Sequence, residues 1–204
     1  MKKKDTTATK RHDPDVELML AFKDGDEEAF VQLYEKYRDR IVNFTRRFMG
    51  NLAQSEEAAQ DVFLKLYKTK SRYTPTARFS TFLFRIATNH CLNLQARHDT
   101  KLVDRNKELG ERQSGISRSS LENPEESTQR LQLRKSLTNA MENLPENQRM
   151  ALVLCHYEGM SYREASTMMK LTESAVKSLL HRAREKLTKE LRPLQHLEAT
   201  HHAM

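Results

Sequence analysis

Apolar residues recur at three- and four-residue steps along most of the chain, which is the period of a helix with one buried face. VELMLAFKDG predicts a short helix from about Asp15 to Gly25. Asp26 can cap a longer second helix, and Gly50 can end it. The apolar positions of that second helix are Phe30, Leu33, Tyr34, Tyr37, Ile41, Phe44 and Phe48. One face of each helix is therefore expected in a core.

Two further helices are predicted before residue 98. Ser55 can cap the third, SEEAAQDVFLKLYKTKSRY, and the fourth runs through FSTFLFRIATNHCLNLQAR after a break at Pro75. The fourth helix carries a polar stripe at four-residue steps, formed by Arg85, Asn89, Asn93 and Arg97. The pattern alone leaves open whether this stripe is a solvated face or a contact face.

The apolar period stops between residues 99 and 129, where the chain is polar and contains Gly110, Gly115 and Pro124. This segment predicts a flexible linker between two small helical domains. We expect a disordered basic arm over residues 1–13, helical domains over 14–98 and 130–192, and a tail over 193–204. The fold class predicted is all-α, with a helix-turn-helix in the second domain.

The second domain begins with LQLRKSLTNAMENL, and Pro145 is then expected to be the first residue of a helix that Gly159 ends. SYREASTMMKLTESAVKSLLHRAREKL follows, with two apolar helical patterns. Ser161 and Glu164 have the spacing of a capping box, and Thr172 can cap the next helix. The predicted inward positions of the first helix are Tyr162, Ala165, Met168 and Met169, with Leu171 as a plug in the turn.

Spacing alone fits either a helix-turn-helix or an ordinary pair of packed helices. Opposite its apolar stripe, the second helix carries small polar residues first and basic residues later: Ser174, Lys177, Ser178, His181, Arg182 and Arg184. Small polar groups can approach base edges in a major groove, whereas lysine and arginine reach phosphates. The side chains therefore favour DNA binding.

Composition adds limits to this picture. The 204 residues carry a formal charge of +7, with 37% hydrophobic residues, 31% charged residues, 5 Gly and 5 Pro, which suits helical bundles. Cys91 and Cys155 have no nearby cysteine partner and are expected to be buried, reduced thiols. The basic N-terminus is followed by no apolar segment, so we expect a cytoplasmic protein without membrane insertion.

Two long segments resemble the sigma factors of bacterial RNA polymerase, of the extracytoplasmic-function type. LPENQRMALVLCHYEGMSYREASTMMKLTESAVKSLLHRAREKL resembles the fourth conserved region of that family, and AAQDVFLKLYKTKSRYTPTARFSTFLFRIATNHCLN resembles the second. The resemblance covers roughly residues 15–100 and 130–192. It implies a protein without a catalytic site that binds core RNA polymerase, reads the minus-thirty-five promoter element with its C-terminal domain and melts the minus-ten element with its N-terminal domain.

The resemblance also implies site residues. For core polymerase, at the coiled coil of the β′ clamp, these are Glu57, Gln60, Asp61 and Phe63. The pattern alone also allows Glu57 and Asp61 to be helix-start and surface charges, and Phe63 to be a core residue in the apolar stripe of the third helix. For the minus-ten element they are Tyr73, Thr74, Pro75, Thr76, Ala77, Arg78, Arg85, Asn89 and Asn93. For the minus-thirty-five element they are Thr172, Glu173, Ser174, Lys177, Ser178, His181 and Arg182. Relatives often have Gly and Asp where Pro75 and Thr76 stand, so the base captured here does not follow from the resemblance.

The partners implied are core RNA polymerase, through the β′ clamp coiled coil and the β flap, promoter DNA and an anti-sigma factor. No cofactor or metal is expected. Among alternatives, an ordinary helix-turn-helix regulator would bind an operator without polymerase, and a nucleic-acid enzyme lacks a phosphate loop or a metal motif. His196, His201 and His202 fit a frayed tail better than a metal site.

Overall fold

The computed structural model describes residues 13–106 and 128–201, with side chains given for 13–97, 132–133 and 135–192. The helices are α1 (Pro14–Lys23), α2 (Glu27–Met49), α3 (Leu52–Lys68), α4 (Phe79–Asn106), α5 (Thr128–Glu142), α6 (Glu146–Leu152), α7 (Tyr162–Met169) and α8 (Glu173–His201). A 3₁₀ turn at Lys70–Arg72 and a π-helical turn at Val153–Tyr157 complete the regular structure of this part of the chain. The predicted all-α class is confirmed.

The ends of α2 follow the sequence signals. The Asp26 carboxylate accepts from the backbone N–H groups of Glu28 and Ala29, at 3.0 and 3.3 Å, so that two of the first free N–H groups of the helix are paired. Gly50 ends the helix with φ of 76°, a left-handed conformation that glycine adopts without a steric penalty.

The start of α3 differs from the prediction. The helix begins at Leu52, because Asn51 Oδ1 accepts from the backbone N–H of Gln54 at 3.3 Å and provides a cap one turn earlier. Ser55 is therefore inside the first turn and is buried, with its hydroxyl donating to the Asn51 carbonyl. The predicted Ser55 cap is wrong.

The first domain packs its four helices around aromatic side chains. Phe44 meets Phe84 with ring centroids 5.2 Å apart, and Tyr37 meets Phe79 at 5.3 Å, both edge to face. Asp13, which was predicted in the disordered arm, instead caps α1 and also accepts from the backbone N–H of Phe79 at 3.0 Å. One carboxylate thus fixes the starts of α1 and α4 together, and residues 1–12 lie outside the described part.

Several helix boundaries, in the second domain and beside the linker, differ from the predicted ones. Pro145 is the cap before α6 rather than its first residue, and the helix expected to reach Gly159 widens into the π-helical turn. The helix α4 continues eight residues into the predicted linker, and α8 continues to His201 through the predicted tail. The remainder of the linker, residues 107–127, lies outside the described residues.

The two domains are in contact. α4 packs against α7, and α2 packs against α5, α6 and the π-helical turn. Arg149 of α6 is buried, and its guanidinium lies 5.3 Å from the ring centroid of Phe48 on α2. The buried apolar residues of both domains form one continuous cluster. This contact brings the candidate sites of the two domains close together.

Candidate nucleic-acid interface

The predicted capping box at the start of α7 is confirmed. Ser161 Oγ accepts from the backbone N–H of Glu164 at 3.2 Å, and the Ser161 backbone N–H donates to Glu164 Oε2 at 2.9 Å. Burial opposes ionisation of Glu164, but the hydrogen bonds from Ser161 and Thr81 outweigh it and lower the pKa of the carboxyl. A charged Glu164 therefore holds the entry to the helix-turn-helix.

The turn between α7 and α8 is tight and left-handed. Lys170 has φ of 56°, and Thr172 caps α8 by accepting from the backbone N–H of Ala175 at 3.1 Å. Two predicted inward positions are wrong, because Tyr162 and Leu171 are 39% and 38% exposed. Leu171 is therefore no plug, and the Tyr162 ring lies 5.7 Å from Lys177 Nζ instead. The remaining inward positions of α7, Ala165, Met168 and Met169, are buried as predicted.

The predicted reading face of α8 is exposed. Val176, Leu180 and Ala183 are buried against the rest of the second domain. The opposite side presents all seven residues named for the minus-thirty-five element: Thr172, Glu173, Ser174, Lys177, Ser178, His181 and Arg182. Such a face, with small polar residues at the helix start and cations farther along, can contact base edges and phosphates without rearrangement of the core.

The loop before α4 is anchored at one end and open along the rest. Lys23 Nζ donates to the Tyr73 carbonyl at 2.9 Å, and the Tyr73 ring is buried edge to face with Phe82, with centroids 4.8 Å apart. Burial raises the pKa of Tyr73 to about 12, and its hydroxyl has no hydrogen-bond partner among the described residues. The five residues that follow, Thr74, Pro75, Thr76, Ala77 and Arg78, are exposed. Tyr73 thus supports the loop from inside.

The polar stripe of α4 continues from this loop. Arg85 is exposed and lies over the Phe82 ring at 5.4 Å from the centroid, while Asn89 is half-buried and Asn93 is exposed. Cations, amides and aromatic rings on one surface are the groups that hold single-stranded nucleic acid. The sequence named these residues, but the stacking of Arg85 on Phe82 could not be read from it.

A cleft of about 230 Å³ separates this loop from the second domain. Thr74, Thr76 and Ala77 line one side, and Arg163 and Thr167 of α7 line the other. Thr81 Oγ1 donates across the boundary to Glu164 Oε1 at 3.2 Å. The minus-ten candidate loop therefore faces the helix-turn-helix in this arrangement.

A buried carboxylate also joins the two domains. The side chain of Glu158, next to Gly159 at the end of the π-helical turn, is 2% exposed and lies 2.8 Å from Arg40 Nε and 3.7 Å from an Arg47 nitrogen of α2. The Arg47 guanidinium also covers the Tyr157 ring at 4.6 Å. Sequence reasoning missed Glu158, because nothing in the local pattern of a helix end identifies a partner 118 residues away.

The candidate polymerase residues divide into two groups. Glu57 and Gln60 are exposed on α3, and Asp61 is half-exposed beside them. Phe63 is only 4% exposed and meets Tyr34 edge to face at 4.9 Å. Phe63 is thus a core residue, and its predicted role as a surface contact is corrected: a side chain that fills the core cannot also reach a partner.

Among the residues whose side chains are described, no cluster of histidine, cysteine or carboxylate side chains could hold a metal ion. His196, His201 and His202 lie outside those residues. Cys91 is buried as predicted, whereas Cys155 is only partly buried. Both are free thiols, and burial raises the pKa of both, to about 12 for Cys91. No helix in the described ranges is long and apolar enough to cross a bilayer.

Comparison with known proteins identifies the class of protein to which this chain belongs. Residues 33–100 match the family described as Sigma-70 region 2, and residues 134–187 match Sigma-70, region 4. The chain is 31% identical over 185 residues to the RNA polymerase sigma-H factor of Pseudomonas aeruginosa, covering 88% of this chain and 95% of that one. It is 29% identical over 173 residues to the ECF RNA polymerase sigma-E factor of Escherichia coli K12, covering 83% and 90%.

Solved structures with the same fold include CnrH in complex with the cytosolic domain of CnrY, with a TM-score of 0.63, 23% identity and coverage of 89% of this chain and 99% of that one. They also include the Bartonella quintana sigma factor RpoE with the anti-sigma factor NepR, with a TM-score of 0.62, 20% identity and coverage of 80% and 96%. The chain belongs to the sigma-70 family of RNA polymerase sigma factors, and within it to the extracytoplasmic-function type. It is a transcription initiation factor rather than an ordinary helix-turn-helix regulator.

Proposed function

We propose that the second domain contacts the minus-thirty-five promoter element through the outer face of α8. The observation that carries this assignment is that small polar and cationic side chains are exposed on one side of α8, opposite its buried apolar stripe. Ser174, Ser178 and His181 are near enough to the helix start to contact base edges, while Lys177 and Arg182 neutralise phosphates. Thr172 and Glu173 complete the site at the positive end of the helix.

The first domain holds the minus-ten strand on the loop and the polar stripe of α4. Strand opening needs a surface that binds an extruded base and the adjoining phosphates. The exposed loop Thr74–Arg78 supplies the rim, and Tyr73 and Phe82 form its aromatic support. Arg85 provides a cation for the backbone, and Asn89 and Asn93 provide amide groups for base edges.

Core polymerase binds α3 at Glu57, Gln60 and Asp61, without Phe63. An exposed acid and amide with a half-exposed second acid fit a basic coiled coil such as the β′ clamp, and the β flap contacts the second domain. The protein acts without a catalytic site of its own and works in the cytoplasm, with the polymerase. An anti-sigma factor controls it; this is supported by the Bartonella quintana sigma factor RpoE, which has the same fold and was solved in complex with the anti-sigma factor NepR.

The experiment that tests this function is transcription in vitro from sheared genomic DNA of the source bacterium, with purified core polymerase, followed by sequencing of transcript starts. We expect new starts that share two upstream elements at a fixed spacing only when the protein is added. Failure to bind core, with no new starts, would refute the proposal.

Two pairs of substitutions distinguish the functions of the two domains, and each pair is the control for the other. Lys177→Ala with Arg182→Ala should weaken promoter binding and leave core binding intact, whereas Gln60→Ala with Asp61→Ala should do the reverse. Asn89→Ala should permit closed-complex formation and slow strand opening, visible as reduced permanganate reactivity of unpaired thymines. Equal loss of all activities in every variant would contradict the site assignments.

A further inference from the structure

His90 lies behind the polymerase-contact surface of α3. It belongs to α4, is 5% exposed, and contacts two residues one turn apart on α3. Its Nδ1 contacts Lys65 Nζ, and its Nε2 is 3.3 Å from Asp61 Oδ2. The imidazole thus joins a buried position of one helix to a half-exposed carboxylate of the next.

The chemistry of the neighbours fixes the hydrogen on this ring. A lysine ammonium has donors only, so Nδ1 must accept and the neutral ring carries its hydrogen on Nε2. Burial, and then the nearby Lys65, lower the pKa of His90, with Asp61 opposing and Arg97 adding to the shift. His90 is therefore neutral at pH 7.

The Nε2–H group has one candidate acceptor among the described residues, the Asp61 carboxylate. The atom is buried, and no residue in the described ranges gives it a well-aligned hydrogen bond. The Asp61 carboxylate is at ion-pair distance, and its side chain is 47% exposed, so a small rotation brings one oxygen into line with the ring. The other oxygen remains available at the surface.

We propose that His90 is a positioning residue for polymerase binding, whose Nε2–H holds the Asp61 carboxylate in the orientation that the partner contacts. The proposal rests on the assignment of Asp61 to the core-polymerase surface. A carboxylate that is held before the encounter loses less side-chain freedom on binding, and so binds more tightly than a free one.

Two substitutions of His90 separate its two contacts. His90→Gln places an amide N–H near the position of Nε2 and keeps a donor for Asp61. His90→Asn places its amide near the position of Nδ1, so it keeps an acceptor for Lys65 and loses the donor. We expect His90→Asn to weaken the affinity for purified core polymerase about fivefold, and His90→Gln to restore most of it.

A double-mutant cycle tests whether the effect passes through Asp61. In an Asp61→Ala background, His90→Asn should cause no further loss of core affinity. A full additional loss there, or an unchanged affinity of His90→Asn while Asp61→Ala weakens binding, would overturn the positioning role. If Asp61→Ala itself left core affinity unchanged, the assignment of Asp61 as a polymerase contact would be the part that failed.

A measurement on the unmodified protein keeps the test independent of folding defects. The long-range nitrogen–proton NMR spectrum of the imidazole distinguishes the two neutral tautomers and the charged ring. We expect the Nε2–H tautomer at pH 7. An Nδ1–H tautomer would overturn the proposal, because it leaves no hydrogen on Nε2 to donate to Asp61.

Discussion

Replacing Glu158 with alanine should loosen the contact between the two domains of the free protein. The substitution removes the carboxylate that pairs with Arg40 and Arg47 across the boundary. Both domains should keep their own cores, because Glu158 follows the π-helical turn and its side chain lies at the boundary between the domains. The expected change is in the equilibrium between closed and open arrangements.

The magnitude follows from the exposure of the partners. Breaking a fully buried pair by removing one partner costs about 3–5 kcal/mol, because the remaining charge stays out of water. Here the side chains of Arg40 and Arg47 are 43% and 38% exposed, so water can solvate both once the carboxylate is gone. We therefore expect about 1–2 kcal/mol, which shifts the closed-to-open ratio about five- to thirtyfold.

Förster transfer between dyes on Glu35→Cys and Thr188→Cys, in a Cys155→Ala background, would measure the separation of the domains. We expect lower transfer for Glu158→Ala and stronger binding of a single-stranded minus-ten oligonucleotide, since opening widens the cleft between the loop at 73–78 and α7. Asp39→Ala is the matched control, because it removes an exposed carboxylate from the surface pair with Arg38. Equal transfer and equal oligonucleotide affinity in Glu158→Ala and Asp39→Ala would refute the reasoning.

Three further predictions concern the DNA-binding face of α8, the core residue Phe63 and the buried His90. Lys177→Ala with Arg182→Ala should reduce the slope of log affinity against log salt for minus-thirty-five DNA by about 2, because two phosphate contacts are lost. Fluorescence anisotropy at several salt concentrations measures this slope. An unchanged slope would show that neither Lys177 nor Arg182 contacts a phosphate. Phe63→Ala should lower the free energy of unfolding by about 3–5 kcal/mol in urea titrations, because Phe63 fills the core, whereas Gln60→Ala should change it little, because Gln60 is exposed. Similar stability of the two variants would contradict the assignment of Phe63 to the core. The pKa of His90 in the folded protein is below its ordinary value of 6.5, so the unfolded chain takes up a proton at His90 more readily. The free energy of unfolding should therefore fall as the pH drops from 6.5 toward the folded pKa. His90→Gln should abolish this part of the pH dependence of urea unfolding.

Local signals in the sequence predicted what local physics decides. The Asp26 cap and the Ser161 capping box depend on residues two or three positions apart, and both formed where their spacing indicated. Ser55 failed because Asn51, a residue of equal capping ability, stands one turn earlier and starts the helix first. Two adequate caps in succession cannot be ranked without knowing which turn is packed.

Contacts between distant segments could not be predicted in this way. The apolar period of α3 places Phe63 in the buried stripe, and only the resemblance placed it at the surface; the structure agrees with the period, because Phe63 is buried against Tyr34. The contact of Asp13 with the start of α4 spans 66 residues, and that of Glu158 with Arg40 spans 118. Such pairings leave no period in the sequence, and they are the ones that determine how the domains meet.

The pairing of Glu158 with Arg40 and Arg47 also bears on how freely the domains of such proteins can be exchanged. A hybrid that joined the second domain of this chain to the first domain of a relative without both arginines would bury an unpaired carboxylate at the boundary. Its parts could still fold and contact the polymerase separately, yet the free hybrid would lose the ion pairs that hold the two domains together. Each domain therefore carries one part of the contact that holds the free protein together, and the two parts have to be exchanged as a set.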